Sequence, residues 1–562
     1  MDTAEQTRLQ DSAIGATAQW PSLARLQAYL PAPGRLALGT AVAALSFATL
    51  LVAALNQHSL YFHAGLAASA IRAVVPLAAA AVTAWAVFQP RRAFLIVLLL
   101  TPCWNAVQVS WQLGPIQVIL QTIFVAALGA GTLRWLRSQP PEQGESLPAT
   151  ESGPRTFPPT LTGARRWAAG FRAYRFAEVA TLGLLGIAIL STLQSEDPTL
   201  SGTVLLHGIL EPVALGAILL ALRPTKRYLL AAALMLGAAA ALGSVINVLQ
   251  VLPSVTSLAT LQAQRLIFAR VTYFNVGLFG VILATVVPLI LAALAARRHL
   301  PIPKWAVPLL AAALVACVVG LFLSLSKSAF LATTGGAVLL FVLLVQGWKR
   351  RAAIVITAAA LSSIVIPWPA LVLQFAPPID NAYRSAAVAL VGESRFDSWN
   401  PDTLAGYGSL TERFYAVEGA VHMSMTHPLL GIGLDQFGRY YVLLGYRPAQ
   451  AKDNFDHAHS LFPEIAAELG LGALVLVVVI FASCLWALWR VYRAPPDRGT
   501  RALAAALMAS LVAWVVATTA YGADIYRPDR ELSSDIVAIA VIVAASIALA
   551  RVSSVRRQPA VA

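Results

Sequence analysis

The bilayer sets the strongest constraint on this chain, because apolar stretches long enough to cross it recur from one end to the other. A helix needs about 20 predominantly apolar residues to span a hydrocarbon core of roughly 30 Å. Fourteen segments meet that length, approximately 36–55, 66–88, 93–111, 113–133, 176–194, 201–222, 228–252, 274–296, 305–325, 328–347, 352–374, 463–489, 502–521 and 534–550. In lipid every backbone polar group must be satisfied internally, and stretches of this length achieve that as helices. The expected fold is an all-α polytopic membrane protein with about 14 transmembrane helices. With 58% hydrophobic and 12% charged residues, against roughly 25% charged in a soluble domain, the chain is neither a disordered protein nor a nucleic-acid binder. Cys103, Cys317 and Cys484 lie inside apolar segments and, being three, imply no disulfide framework. The first 35 residues carry Arg8, Arg25 and Arg35 and no early apolar stretch, so a long span rather than a cleaved signal peptide is expected to direct insertion.

Charge gives an independent check, since cytoplasmic loops gather Lys and Arg. With the N-terminus inside, alternate loops and both termini hold 28 of the 40 basic residues, and the net charge of +14 becomes an orientation code. This alternation predicts a cytoplasmic segment 1–35, spans 1–4 over 36–133, a flexible cytoplasmic loop 134–175 rich in Pro, Gly, Ser and Thr, spans 5–11 over 176–374, an external loop 375–457, spans 12–14 over 458–551, and a cytoplasmic tail 552–562. The external loop is the only long one on its side, and it includes an amphipathic run from Thr411 to Thr426 with Ser409 or Thr411 as N-cap candidates.

Four polar groups gather at the external face. Arg265 and Arg270 precede the eighth span together with Asn275; the plain alternative is snorkelling to headgroups. Ser324 to Ser328 form a short hairpin around Lys327, which by itself is only a turn. Glu412 and Arg413 head the amphipathic run, which ends in His427-Pro-Leu-Leu-Gly431-Ile-Gly433; the plain reading is a surface ion pair and a glycine turn. Asp453, Asp456, His457, His459 and Ser460 enter the twelfth span, in a spacing that matches no recognised metal-ligand pattern. Inside the membrane, Arg72, His207 and Glu211 are costly in lipid and are expected to face the protein interior or a cavity, either as a structural pair at i, i+4 or lining a groove.

These residues carry a resemblance. Arg-Phe-Tyr at 413–415, HPLLGIGLDQFGRYY at 427–441 and AHSLFPEIAAELGLGAL at 458–474 resemble the motifs of the O-antigen ligase/polymerase superfamily of bacterial membrane glycosyltransferases. RVTYFNVGLFGVILATVVPL at 270–289 and SLSKSAFL at 324–331 are similar to two further blocks of that family. The chain departs from the family pattern in having Ser460 where Asn is usual and Lys327 where Arg is usual. The resemblance implies a GT-C-like fold and transfer of a glycan from a polyprenyl (undecaprenyl) diphosphate carrier to an acceptor hydroxyl on a glycan or lipid A core, at the periplasmic face of the inner membrane. Polymerase and ligase share these motifs. The implied roles are His459 as the base that activates the acceptor and Arg270, Arg413 and Lys327 on the diphosphate, with Arg265, Asn275, His457, Ser460 and Glu468 in support. Cationic side chains neutralise the leaving group, so no metal or cofactor is implied, and direct displacement implies inversion. A polytopic transporter or lipid-linked oligosaccharide flippase is the alternative of a different class, for which internal repeats would be the sequence mark.

Overall fold

The computed structural model describes residues 83–111, 115–138, 173–251, 276–324, 326–345, 347–365, 407–448, 455, 457–521 and 534–555. The expected spans 36–55 and most of 66–88, the loop 139–172 and Arg72 lie outside the described residues. In chain order the helices are α1 (Pro90–Trp111), α2 (Pro115–Ser138), α3 (Ala173–Gln194), α4 (Pro198–Val204), a π-helical turn Leu205–Leu210, α5 (Glu211–Ala221), α6 (Lys226–Val251), α7 (Val276–Ala295), α8 (Ala306–Ser324), α9 (Lys327–Leu344), α10 (Trp348–Val365), α11 (Tyr407–Thr426), α12 (Phe437–Leu443), α13 (Leu461–Arg493), α14 (Arg498–Tyr521) and α15 (Ser534–Val555). Among the described residues the fold is all-helical, and eight stretches are long and apolar enough to cross a membrane. This is an integral membrane protein. Helix α1 continues through Pro102.

At the centre stands α7, packed against α14, α9, α8 and α6. Its spanning window is 83% buried, whereas that of α8 is only 22% buried although equally apolar. Leu309, Val315 and Phe322 of α8 are exposed among the described residues. Crossings are made close by small residues, as expected where packing rather than solvent exclusion drives helix association. A Cβ on Gly336 of α9 would come within 2.8 Å of Ala513 on α14, and one on Gly320 of α8 within 2.9 Å of Phe279 on α7. Buried hydroxyls return their hydrogen bonds to the preceding turn: Thr285 to Val281 O at 2.7 Å, Thr518 to Trp514 O at 2.9 Å and Ser546 to Ile542 O at 2.7 Å.

His207 and Glu211 form the structural pair, one of the two arrangements their spacing allows. His207 Nδ1 lies 3.0 Å from Glu211 Oε2, and Thr122 of α2 donates to Glu211 Oε1 at 2.9 Å. Both side chains are buried, His207 within the π turn and Glu211 directly after it.

The end of the bundle that carries the basic loops is tied by its own cations. Arg91 donates to the carbonyls of Leu222 and Arg223 at 3.0 and 3.1 Å, closing the end of α5, and its guanidinium sits over the rings of Trp135 and Tyr228. Arg551 pairs with Glu178. Asp497 caps α14 by accepting from the Thr500 N–H at 2.8 Å and bonds Lys226 Nζ at 2.6 Å. Burial alone would raise its pKa, but Lys226 and Thr500 hold it at about 2, below the usual 3.8. A carboxyl whose folded pKa is depressed contributes stability above its unfolded pKa and loses it as pH falls through the folded value. Asp497→Asn should therefore lower the thermal midpoint at neutral pH by an amount corresponding to at most about 1 kcal/mol for so exposed a pair. The difference from wild type should shrink between pH 4 and pH 2, as followed by thermal unfolding in detergent.

Candidate active site

At the opposite end of the bundle, the site is organised by a break in α13. Gly470 has φ 86° and ψ 169°, outside the helical region, so the helix stops and restarts there. The break strands backbone groups that a continuous helix would pair, and each finds a partner on one loop. Ile432 N–H donates to Ala467 O at 2.9 Å, Gly433 N–H to Glu468 O at 3.1 Å, and Leu471 N–H to Pro428 O at 2.9 Å. The PLLGIG and ELGLG motifs, forty residues apart in sequence, thus form a single backbone-paired unit. The approach is so close that a Cβ on Gly470 would lie 2.4 Å from Leu429 O, and one on Gly431 would lie 2.2 Å from the Glu468 carbonyl carbon.

A corner that no sequence motif marks completes the unit. Between α3 and α4, Ser191 donates to Glu468 O at 2.9 Å, Gln194 Nε2 to Gly431 O at 3.1 Å, and Ser201 to Leu434 O at 2.6 Å. Glu196, in the same corner, pairs with Arg439 of α12 at 2.8 Å and accepts from Tyr440 OH at 3.2 Å. Burial and then the neighbouring Glu196 push the Tyr440 phenol above its usual pKa, which keeps it protonated as the donor. The available signal was the polar run Gln194-Ser-Glu-Asp197 before Pro198, a turn followed by a helix start; Asp197 does cap α4, accepting from the Leu200 N–H at 3.0 Å.

Above this unit lies α11. It begins at Tyr407, so Ser409 and Thr411 lie inside the helix rather than capping it; helical backbone extends beyond the amphipathic pattern that marked it. Ala416, Ala420 and Met423 are buried with Phe437, Tyr441 and Ala467, and Gly419 lets the Tyr441 ring approach. His427 meets Tyr440 edge-on and His422 leans on Tyr446, which gives both histidines packing roles.

The residues that the motifs single out divide by position. Arg265, Arg270 and Asn275 lie outside the described residues. Arg413 is half-buried on α11, the helix that packs against α13. Lys327 is the first residue of α9, behind the N-cap Ser326, and α9 packs against α7, α10 and α14. His457 and His459 are half-buried with ring centroids 4.0 Å apart, and Phe455 stands edge-on to His459 at 4.6 Å. His459 adopts φ 53°, a left-handed conformation that non-glycine residues seldom hold and that concentrates at functional sites. Ser460 is buried at the N-cap of α13 without a side-chain cap bond. Glu468 is buried, and its Oε1 accepts from the Phe437 N–H at 3.2 Å, tying α13 to the start of α12. The structure therefore joins Arg413, His457, His459, Ser460 and Glu468 to one layer carried by α13.

Residues 312–478 match a family model described as O-antigen ligase. The matched segment belongs to the O-antigen ligase/polymerase superfamily. It runs from α8 to just past the Gly470 break, and so contains Lys327, Arg413, His459 and Glu468 but neither Arg270 nor the α3–α4 corner. No curated protein matches the chain. The match supports an O-antigen ligase or polymerase type of function.

If the backbone pairing at the break holds the site together, a methyl at Gly470 should be far more harmful than one at Gly445, which shares a positive φ of 77° but has open space around it. Gly445→Ala should cost about 1 kcal/mol for the left-handed backbone alone. Gly470→Ala adds a backbone clash and should cost about 3 kcal/mol or more, read as a lower thermal midpoint and a lower yield of folded protein.

Proposed function

We propose that the protein transfers a glycan from a polyprenyl diphosphate carrier to a sugar hydroxyl, with its site on the external face of the cell's inner membrane. The observation that carries this reading is His459. It stands in a strained left-handed conformation at the entry of α13, within the layer that the O-antigen ligase match covers. Two needs define the reaction. The acceptor hydroxyl must lose a proton as it attacks the anomeric carbon, and the departing diphosphate must have its charge neutralised. An imidazole with an ordinary pKa near 6.5 suits the first, and the half-buried ring of His459 is in reach of both solvent and protein. The rings of Phe455 and His457 pack against its imidazole.

Arg413 supplies a planar, permanently charged fork for phosphate oxygens. Arg270 and Lys327 are assigned to the same diphosphate on the resemblance of their motifs. Direct loss of the lipid diphosphate makes this a single displacement: the acceptor oxygen bonds to the anomeric carbon, the bond to the diphosphate oxygen breaks, and configuration inverts. No metal step is required, because the cationic side chains carry the neutralisation. Glu468 acts at a distance from the reacting atoms, holding α12 against the broken helix.

The reading is tested by reconstituting the purified protein with an undecaprenyl-diphosphate glycan and candidate acceptors. His459→Ala should lower the transfer rate by about 10² to 10⁴, the usual worth of a general base, while leaving the thermal midpoint near wild type. Transfer at an unchanged rate would remove His459 from the base role. Arg413→Lys should keep part of the activity that Arg413→Ala loses, since Lys retains charge but not the fork. Ala405→Cys should be labelled by an impermeant thiol reagent in intact cells; labelling only after lysis would put the site on the other face.

A further inference from the structure

The face of α13 that packs against α11 carries a buried carboxyl that the reaction above does not use. Ala467 belongs to one buried cluster with Ala416 and Ala420 of α11 and with Ala458, and Phe455 packs against that cluster. Glu464 precedes Ala467 by three residues and so lies on the same face of the helix. Ala458 stands between the two histidines in sequence, and Phe455 is edge-on to the His459 ring; this face therefore ends at the histidine pair. Side chains on a helix tilt toward its N-terminus. The Glu464 carboxyl is thereby carried back over the turn that Ser460 opens, whose carbonyl accepts from the Glu464 N–H at 3.1 Å. The side chain is almost fully enclosed, with the residue 2% exposed.

A carboxylate so removed from solvent needs a positive or hydrogen-bonding partner within the protein. The elements packed around this turn offer few. Glu468 lies one turn further on and accepts from the Phe437 N–H, Asp435 ahead of α12 is itself acidic, and Glu196 of the α3–α4 corner is engaged by Arg439 and Tyr440. The complementary groups are Arg413, which shares its face of α11 with Ala416 and Ala420, and the imidazoles of His457 and His459 at the helix entry. Their rings are 4.0 Å apart, so charge on one opposes charge on the other. An imidazole that acts as base becomes a cation only as the reaction proceeds, and it does so beside cations committed to the diphosphate. A fixed carboxylate behind it offsets that charge as it develops, with no reorganisation at the moment of reaction.

We propose that Glu464 is the positioning residue of the base: its carboxylate holds the His459 imidazole and stabilises the proton that this ring takes from the acceptor. The proton passes from the acceptor hydroxyl to a ring nitrogen of His459 as the acceptor oxygen bonds to the anomeric carbon. The diphosphate leaves with the electron pair of the bond that breaks, and Glu464 stays ionised throughout. The proposal rests on the transferase reading above, but its first test needs no turnover. The full-length protein in phospholipid nanodiscs is treated with diethyl pyrocarbonate across a pH series, and modification of His459 is followed by peptide mass spectrometry, because the neutral imidazole is the form that reacts. A nearby carboxylate favours the charged ring, so Glu464→Gln should move the midpoint of modification at His459 to lower pH by about one pH unit. Glu464→Asp keeps the charge and should leave the midpoint near wild type. An unchanged midpoint in Glu464→Gln, or a lower thermal midpoint with no such movement, would overturn the proposal.

Turnover gives the second reading. With an undecaprenyl-diphosphate glycan as donor, Glu464→Gln should lower kcat at least about tenfold with KM for the donor nearly unchanged, the mark of an interaction made in the transition state. The acid limb of its kcat profile should move to lower pH with the midpoint at His459, and Glu464→Asp should recover part of the rate. A raised KM with kcat retained would assign the carboxylate to Arg413 and overturn the proposal. If the midpoint at His459 moves but no glycan is ever transferred, the pairing stands and the transferase reading falls; if glycan is transferred and the midpoint stays, the transferase reading stands and the pairing falls.

Discussion

A helix cannot be interrupted without new partners for its backbone, and the α11–α13 layer of this protein is built on that requirement. The break at Gly470 leaves two carbonyls and one N–H to be satisfied, and the PLLGIG loop satisfies all three. From that pairing the rest follows in order. The loop fixes the start of α12, Glu468 ties α12 to α13, and α12 presents Tyr440 and Arg439 to Glu196. The first half of α13 is thereby held at a set angle to the bundle, with His459 at its entry. Gly431 and Gly470 are needed because the two backbones approach too closely for a Cβ, Gly433 because a Cβ there would meet the Ser195 side chain, and all three hold positive φ.

The membrane region follows a different rule. In water, burial separates core residues from surface ones by polarity; in lipid both surroundings are apolar, and polarity loses that power. The helices α7 and α8 make the point, being equally apolar yet one buried at the centre and the other facing outward. What distinguishes the central crossings is size, with glycine and alanine where helices meet. Thr285 and Thr518 bond to the preceding turn, and His207 and Glu211 bond to each other, with Thr122 on Glu211.

Much of this was legible in the chain as written. Length and hydropathy placed the helices, because backbone satisfaction in lipid leaves no other structure for twenty apolar residues, and local motif resemblance picked out Arg413, His459 and Glu468 on the segment that the family match covers. Two kinds of information were not legible. The amphipathic pattern starting at Thr411 gave no sign that α11 begins at Tyr407, since a helix extends as far as its backbone bonds are met and not only as far as its apolar stripe. The α3–α4 corner, with Ser191, Gln194 and Glu196, was invisible as part of the site because its partners lie more than 230 residues away.

The sequence by itself determined that the protein is a membrane-embedded helical chain with a motif-bearing segment that carries a histidine and cationic side chains, because hydropathy and motif spacing are local properties. Only the tertiary structure decided that PLLGIG and ELGLG are two sides of one hydrogen-bonded joint and that His459 is held in a left-handed conformation at its edge. Those depend on which backbone groups are left unpaired after the helices form and on which distant segment reaches them, and neither quantity is written in any single stretch of residues.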